Sequence, residues 1–162
     1  MTVAVDPSLR LARWFVLLIP AAALGGAYLS QYGFGLVPCE MCWWQRYPHM
    51  FALPFAALAF FWSPVRPLVA VAALGIVTSG LIGAFHAGVE YGWWEGVTAC
   101  TASPFAKGVD PLEAIMNAPV VRCDEVQWSL FGISLAGWNF IFSTAGGLAA
   151  FGLLSLGGKA KA

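Results

Sequence analysis

The nine residues Pro38-Cys39-Glu40-Met41-Cys42-Trp43-Trp44-Gln45-Arg46 set two thiols three positions apart at the edge of a long apolar run, with one arginine just inside it. Read outward from there, the chain is apolar in both directions. Of its 162 residues, 60% are hydrophobic and only 10% charged, and the mean hydropathy is +0.76. A soluble domain carries about 25% charged residues. So few charges cannot cover a surface that faces water, and lipid is the expected solvent. The formal net charge is zero and the acids are dispersed, which argues against a nucleic-acid partner. Eight tryptophans and twelve phenylalanines are many for this length. Trp suits a membrane interface, where one end of the ring is apolar and the other wet.

A spanning helix needs about 20 predominantly apolar residues. Four stretches qualify, at about 11–32, 43–62, 68–89 and 135–156. The first follows Arg10 and Arg13 and shares that start with a cleaved signal peptide, but it outruns the roughly 7–15-residue core of such a signal. Ala21 and Gly25, Ala22 and Gly26, and Ser143 and Gly147 are small residues four apart, a spacing that lets another helix approach closely. Pro48 and Pro54 fall inside the second stretch, where each removes a backbone hydrogen bond. The sequence thus predicts an all-α membrane protein, an antiparallel four-helix transmembrane bundle forming a single domain over 1–162.

The one sizeable polar loop, 90–134, carries Glu90, Glu95, Lys107, Asp110, Glu113, Arg122, Asp124, Glu125 and two cysteines. Asp110-Pro111-Leu112-Glu113 has the cap, first-position proline and third-position acid of a helix start. Leu112, Ile115 and Met116 would give that short helix an apolar face, to lie on the bilayer surface or to form an ordinary amphipathic turn. Lys/Arg placement sets orientation. Arg10, Arg13, Arg66, Lys159 and Lys161 share one side; Lys107 and Arg122 share the other, with Arg46 at the boundary. Both termini are therefore expected in the cytoplasm. All four cysteines, Cys39, Cys42, Cys100 and Cys123, fall on the far side, the periplasm in a bacterium, where disulfides persist.

At a helix N-terminus the Cys39/Cys42 pair meets unpaired N–H groups and the positive end of the helix dipole, both of which favour a thiolate. Arg46 follows Cys42 by four residues and shares its helix face, adding a charge that does not titrate. Zinc would want a second close pair or histidines, but Cys100 and Cys123 are 23 positions apart. Covalent haem attachment needs CxxCH, and Trp43 stands at the histidine position. A structural disulfide and a redox dithiol remain. An arginine inside a span is a functional candidate by default, although one near the interface can also snorkel to headgroups. Cys100 and Cys123 can close a loop disulfide and exchange with the boundary pair through a mixed disulfide, in a direction set by reduction potential. The two-electron acceptor that lipid supplies is a quinone.

Several stretches together resemble the DsbB family of membrane thiol oxidases. They are Pro38-Cys39-x-x-Cys42 with Gln45-Arg46, and Phe85-His86-x-Gly88-Val89-Glu90-x-Gly92-Trp93-Trp94. Cys100, Cys123-Asp124, Trp128 and Leu130-Phe131-Gly132-Ile133-Ser134-x-Ala136-Gly137-Trp138-Asn139 follow. The resemblance implies a bacterial inner-membrane enzyme, acting as a monomer. It would reoxidise a periplasmic thioredoxin-fold (DsbA-like) protein and pass electrons to ubiquinone or menaquinone. It implies that Cys100 takes the partner's attack and Cys123 passes electrons to Cys39. Cys42 would be the thiolate beside the quinone, and Arg46 would polarise a quinone oxygen. His86 is a candidate quinone-side proton donor or a plain helix-end residue; His49, one turn after Arg46, carries less weight, and Glu90 could be a solvated loop acid. Two other readings stay open. One is a small membrane scaffold or transporter subunit with structural disulfides. The other is a thiol oxidoreductase of the vitamin K epoxide reductase type, which shares the four-helix CxxC logic but lacks the Gly-Val-Glu-x-Gly-Trp-Trp stretch.

Overall fold

The computed structural model describes residues 6–98, 100, 112 and 121–159, the last three as backbone. Four helices account for most of it: α1 (Pro7–Gly33), α2 (Glu40–Phe61), α3 (Val65–Glu90) and α4 (Leu135–Lys159). A two-stranded antiparallel ribbon, β1 (Ser129–Leu130) and β2 (Ile133–Ser134), leads into α4. The first two helices begin earlier than the apolar runs suggest, because side chains supply their caps. Asp6 caps α1 by accepting from Ser8 N at 3.0 Å, with Pro7 in the first turn. Cys39 itself caps α2. That puts Cys42 in the first turn of a helix, not in the preceding loop; Glu90, placed in the loop by the sequence, is the last residue of α3.

Neighbouring helices run antiparallel. Trp14 near the start of α1 meets Phe60 at the end of α2 (ring centroids 5.1 Å). Ser79 of α3 donates to the Gln45 carbonyl of α2 at 2.7 Å. α3 and α4 approach closely over glycines: a Cβ on Gly83 would meet Ala136 O at 2.9 Å and Phe140 N at 3.0 Å, and one on Gly147 would meet Ala73 O at 3.2 Å. The Ser143/Gly147 pair therefore serves helix contact, as its spacing suggests. The α1 pairs do not. Gly25 and Gly26 have nothing within 4 Å of an added Cβ, and Ala22 and Gly26 instead line a cavity.

α1, α3 (Val65–Glu90) and residues 135–156 of α4 are long and apolar enough to cross a membrane. α2, expected as the second span, falls outside that set because Glu40, Gln45, Arg46 and His49 interrupt its apolar run. The chain is thus built around three apolar helices and one that carries polar side chains inward: Gln45, Arg46 and His49 are all buried.

The interior has three layers. Far from the cysteines, Ala12, Val16, Ala56, Val69, Ile76 and Leu154 pack as an apolar core drawn from all four helices. Around the cysteines, Cys39, Met41, Val89, Cys100 and Cys123 form a second buried cluster. Between them lie Gln45, His49, Ser79, His86, Asn139 and Ser143. The ribbon was not expected from the sequence. Its turn places Phe131 (φ 53°) and Gly132 (φ 77°) in the left-handed region, the pairing that a two-residue hairpin loop requires. Tyr91 ties it to α3, donating to Gly132 O (3.1 Å) and accepting from Ser134 N (2.9 Å). Of the short helix expected after Asp110, only Leu112 is described, in helical conformation and exposed; the rest lies outside the described residues.

Candidate redox site

Cys39 has the extended backbone of an N-cap, and its sulfur accepts from Cys42 N at 3.3 Å. The two sulfurs are unbonded and 3.1 Å apart, with the Cys39 thiol donating. That bond to Cys42, and burial, hold the Cys39 thiol well above the ordinary cysteine range. The Cys39 thiol is thus the donor toward Cys42, which lies one turn into α2, where the helix dipole favours an anion.

Arg46 is held from α1. One guanidinium nitrogen donates to Gln31 Oε1 at 2.6 Å and another to Ala27 O at 3.3 Å, while the group lies over Trp43 (4.8 Å) and Tyr28 (5.1 Å). Among the described residues no carboxylate lies within ion-pair distance of it. A buried cation left without an acid is costly, and it faces a cavity of about 580 Å³ whose wall includes Cys42, Gln45, Arg46, His49 and Asn139. Leu18, Ala22, Gly26 and Phe142 supply an apolar side. A planar, mostly apolar ring with a polar oxygen at its edge fits that lining: carbon meets carbon, and Arg46 offers N–H donors and charge.

His86 does not line this cavity. It stands behind Cys39, with Nε2 3.6 Å from the sulfur and 3.8 Å from Glu90 Oε1, and its ring also bonds the Cys123 backbone. Its tautomer is fixed by neighbours. Gln45 Nε2 donates to Met41 O (3.2 Å), which sets the amide, and so also to His86 Nδ1 (2.8 Å). The remaining ring proton is on Nε2, facing Cys39 and Cys123. Cys39 Sγ, Cys42 Sγ and a His86 nitrogen lie within 4.8 Å of one another. A closed zinc site takes four ligands, and this group offers three.

Cys100 and Cys123 are joined by a disulfide. Both sulfurs are buried rather than facing water: Cys100 is 7% exposed and Cys123 fully enclosed. A disulfide is apolar, and here it packs into the same cluster as Cys39, Met41 and Val89. The four cysteines are thus brought together, with Arg46 on the cavity side and His86 between the pairs.

The sequence marks Ser143 only as a helix-packing residue and Asn139 only within the family-like stretch, does not mark Ser79, and gives His49 little weight as a site residue. Asn139 bonds Gln45 (2.8 Å), His49 (3.1 Å) and Ser143 (2.8 Å). A usable signal existed: Gln45 and His49 are four apart on one apolar helix, and Asn139 and Ser143 are four apart on another.

A family model described as "Disulfide bond formation protein DsbB" matches residues 9–153. Similar curated proteins include "Disulfide bond formation protein B" of Marinobacter nauticus, 29% identical over 143 residues, covering 81% of this chain and 84% of that one. "Disulfide bond formation protein B 2" of Pseudomonas savastanoi pv. phaseolicola is 29% identical over 133 residues, covering 76% and 75%. "Disulfide bond formation protein B" of Pasteurella multocida is 27% identical over 139 residues, covering 81% and 78%. No solved structure matches the chain.

Proposed function

The chain belongs to the DsbB family of disulfide bond formation proteins, and on that premise we propose that it is a quinone-dependent thiol oxidase of a bacterial inner membrane. One observation carries this reading: both cysteine pairs share one buried cluster, and Cys42 shares a cavity wall with an arginine that has no acid partner among the described residues.

The membrane holds all four helices, both termini lie in the cytoplasm and the cysteines lie on the periplasmic side, with the chain acting as a monomer and a single domain. A short helix in the 90–134 loop rests on that side. α2 completes the set of spans because Gln45, Arg46 and His49 are buried against the other helices, not exposed to lipid, and Glu40 stands at its end.

A reduced, DsbA-like thioredoxin-fold partner attacks Cys100 Sγ with a thiolate. The Cys100–Cys123 bond breaks, a partner–Cys100 disulfide forms, and Cys123 leaves as a thiolate. Cys123 attacks Cys39 in a Cys39–Cys42 disulfide, releasing Cys42. The partner's second thiol closes its own disulfide and frees Cys100, which attacks Cys123 and releases Cys39. Cys39 and Cys42 are then reduced beside a restored Cys100–Cys123 bond, the pairing described above. His86 Nε2–H, set between Cys39 and Cys123, stabilises the sulfur that carries charge as exchange proceeds. A quinone bound in the cavity would supply the oxidising power: it would take two electrons from the pair, with the Cys39 proton and one more from solvent, as the Cys39–Cys42 bond re-forms. Arg46 holds the polar edge of the ring and stabilises charge that develops there.

Arg46→Ala tests the site. Charge-assisted hydrogen bonds are worth about 1.5–3 kcal/mol, so the KM for quinone should rise roughly ten- to a hundred-fold, with partner thiol exchange nearly unchanged. Steady-state assays varying quinone and reduced partner separately measure both. An unchanged quinone KM removes Arg46 from the site.

A further inference from the structure

Among the described residues, Gln45 alone both lines the cavity and bonds the histidine behind Cys39. Every polar atom of its amide is committed. Its Nε2 donates to Met41 O at 3.2 Å and to His86 Nδ1 at 2.8 Å, and its Oε1 accepts from Asn139 Nδ2 at 2.8 Å. Turning the amide over would set oxygen against the Met41 carbonyl and nitrogen against Asn139 Nδ2. Asn139 cannot turn to relieve that, because its Nδ2 also donates to the Ser79 carbonyl at 3.1 Å, an atom that can only accept. Two main-chain carbonyls, one in α2 and one in α3, thus anchor the amide from both ends. Gln45 and His86 are both buried, so bulk water offers neither a substitute partner. Opposed donors or opposed acceptors in such a setting are strongly disfavoured.

An imidazole that takes a second proton carries N–H on both ring nitrogens. Nδ1 of His86 faces an N–H donor that cannot turn, so a proton there would meet another. The other ring nitrogen already holds its hydrogen, toward Cys39 Sγ at 3.6 Å and Glu90 Oε1 at 3.8 Å. The titratable groups that face the ring are Cys39 and Cys42 at the start of α2 and Glu90 at the end of α3. From the loop it meets the backbone at Cys123, whose sulfur is in a disulfide. α4 carries no titratable side chain before Lys159, and Arg46 is turned to Gln31 and Ala27 of α1. We propose that Gln45 is a positioning residue that locks His86 in its neutral form, so that the ring donates to cysteine sulfur but neither ionises nor relays protons between the cysteines and the cavity. This rests on the thiol-exchange reading above. Relay through an imidazole requires one nitrogen to gain a proton as the other releases one, and Nδ1 cannot gain one. The role of quinone-side proton donor, open to His86 from sequence, is thereby closed. Electrons pass Gln45 through sulfur; protons do not pass it through His86.

The test uses the full-length protein in detergent. The chain has two histidines, so nitrogen-15 histidine spectra report two rings, and His49→Gln identifies which is which. In the reduced wild-type protein, His86 keeps a bare Nδ1 and a protonated Nε2 between about pH 5 and 8, where an ordinary histidine titrates. Gln45→Glu replaces the donor that faces Nδ1 with an acceptor and leaves Asn139 an oxygen to donate to. The ring of that variant takes a second proton inside the same window. Partner thiol exchange is followed in a single turnover, with no quinone present and the protein oxidised beforehand. The partner's own thiols titrate in both proteins, so the ratio of variant to wild-type rate is read. An imidazolium bonds a leaving thiolate more strongly than a neutral ring does, so the ratio rises about five-fold as pH falls through the window. A wild-type His86 that titrates, or whose proton sits on Nδ1, overturns the lock, and that measurement needs no change at Gln45. An unchanged ring spectrum in Gln45→Glu, or a ratio that is flat or falls, overturns it as well. A wild-type protein that exchanges no thiols overturns the thiol-exchange reading instead, and the ring spectra still decide the lock.

Discussion

At the scale of single residues, two main-chain carbonyls decide the chemistry of the site. Met41 O orients the Gln45 amide and Ser79 O orients Asn139. Those amides then fix both histidine tautomers, with Nε2–H on each. Such a chain of bonds is worth more intact than its parts. The cysteines are differentiated just as locally. Cys39 is the cap and donates its proton; Cys42 receives it one turn into α2. On brief treatment of the reduced protein with iodoacetamide at neutral pH, mass spectrometry should therefore find Cys42 alkylated well ahead of Cys39. Alkylation of Cys39 first would contradict the assigned donor. The CxxC and Arg46 were legible in the sequence because spacing and an apolar setting mark them. The partner of His49 was not, since Asn139 lies 90 positions away and only the fold brings the two together.

At the scale of elements, α3 and α4 are locked where glycine lets backbone meet backbone. A methyl added at Gly83 would press on Ala136 O and Phe140 N, and on Asn139 Nδ2 at 3.1 Å. Gly83→Ala should cost about 1–3 kcal/mol, as overpacking does, and loosen the Asn139 network with it. Gly25→Ala on α1 has nothing within 4 Å and should be neutral or stabilising by up to ~1 kcal/mol through helix propensity. Thermal unfolding in detergent compares the two; equal effects would show that the α3–α4 approach is not tight. The same small-residue spacing appears on α1 and α4, so sequence alone could not tell a helix contact from a cavity wall. Helix existence was plain from apolar runs. Helix ends were not, because Asp6 and Cys39 cap earlier than hydropathy falls. The ribbon before α4 escaped notice, since four paired residues carry no readable alternation.

At the scale of the whole molecule, the chain stacks an apolar core, a polar layer and a cysteine cluster along one set of antiparallel helices. Low charge and long apolar runs made the membrane class legible. The pairing of Cys100 with Cys123 could not be read from spacing, since four cysteines allow three connectivities. On the proposed function, the stacking would give electrons a short path, from a covered disulfide to a boundary dithiol to a cavity walled by α1 and α4. The central claim is that Cys42 is the exit from protein to quinone. It is tested by mixing purified protein with a reduced thioredoxin-fold partner and ubiquinone, and following quinone absorbance in a stopped-flow instrument. The wild-type protein should consume quinone. Cys42→Ser should consume none while still forming a partner–Cys100 mixed disulfide. Quinone reduction by Cys42→Ser at the wild-type rate would contradict the account.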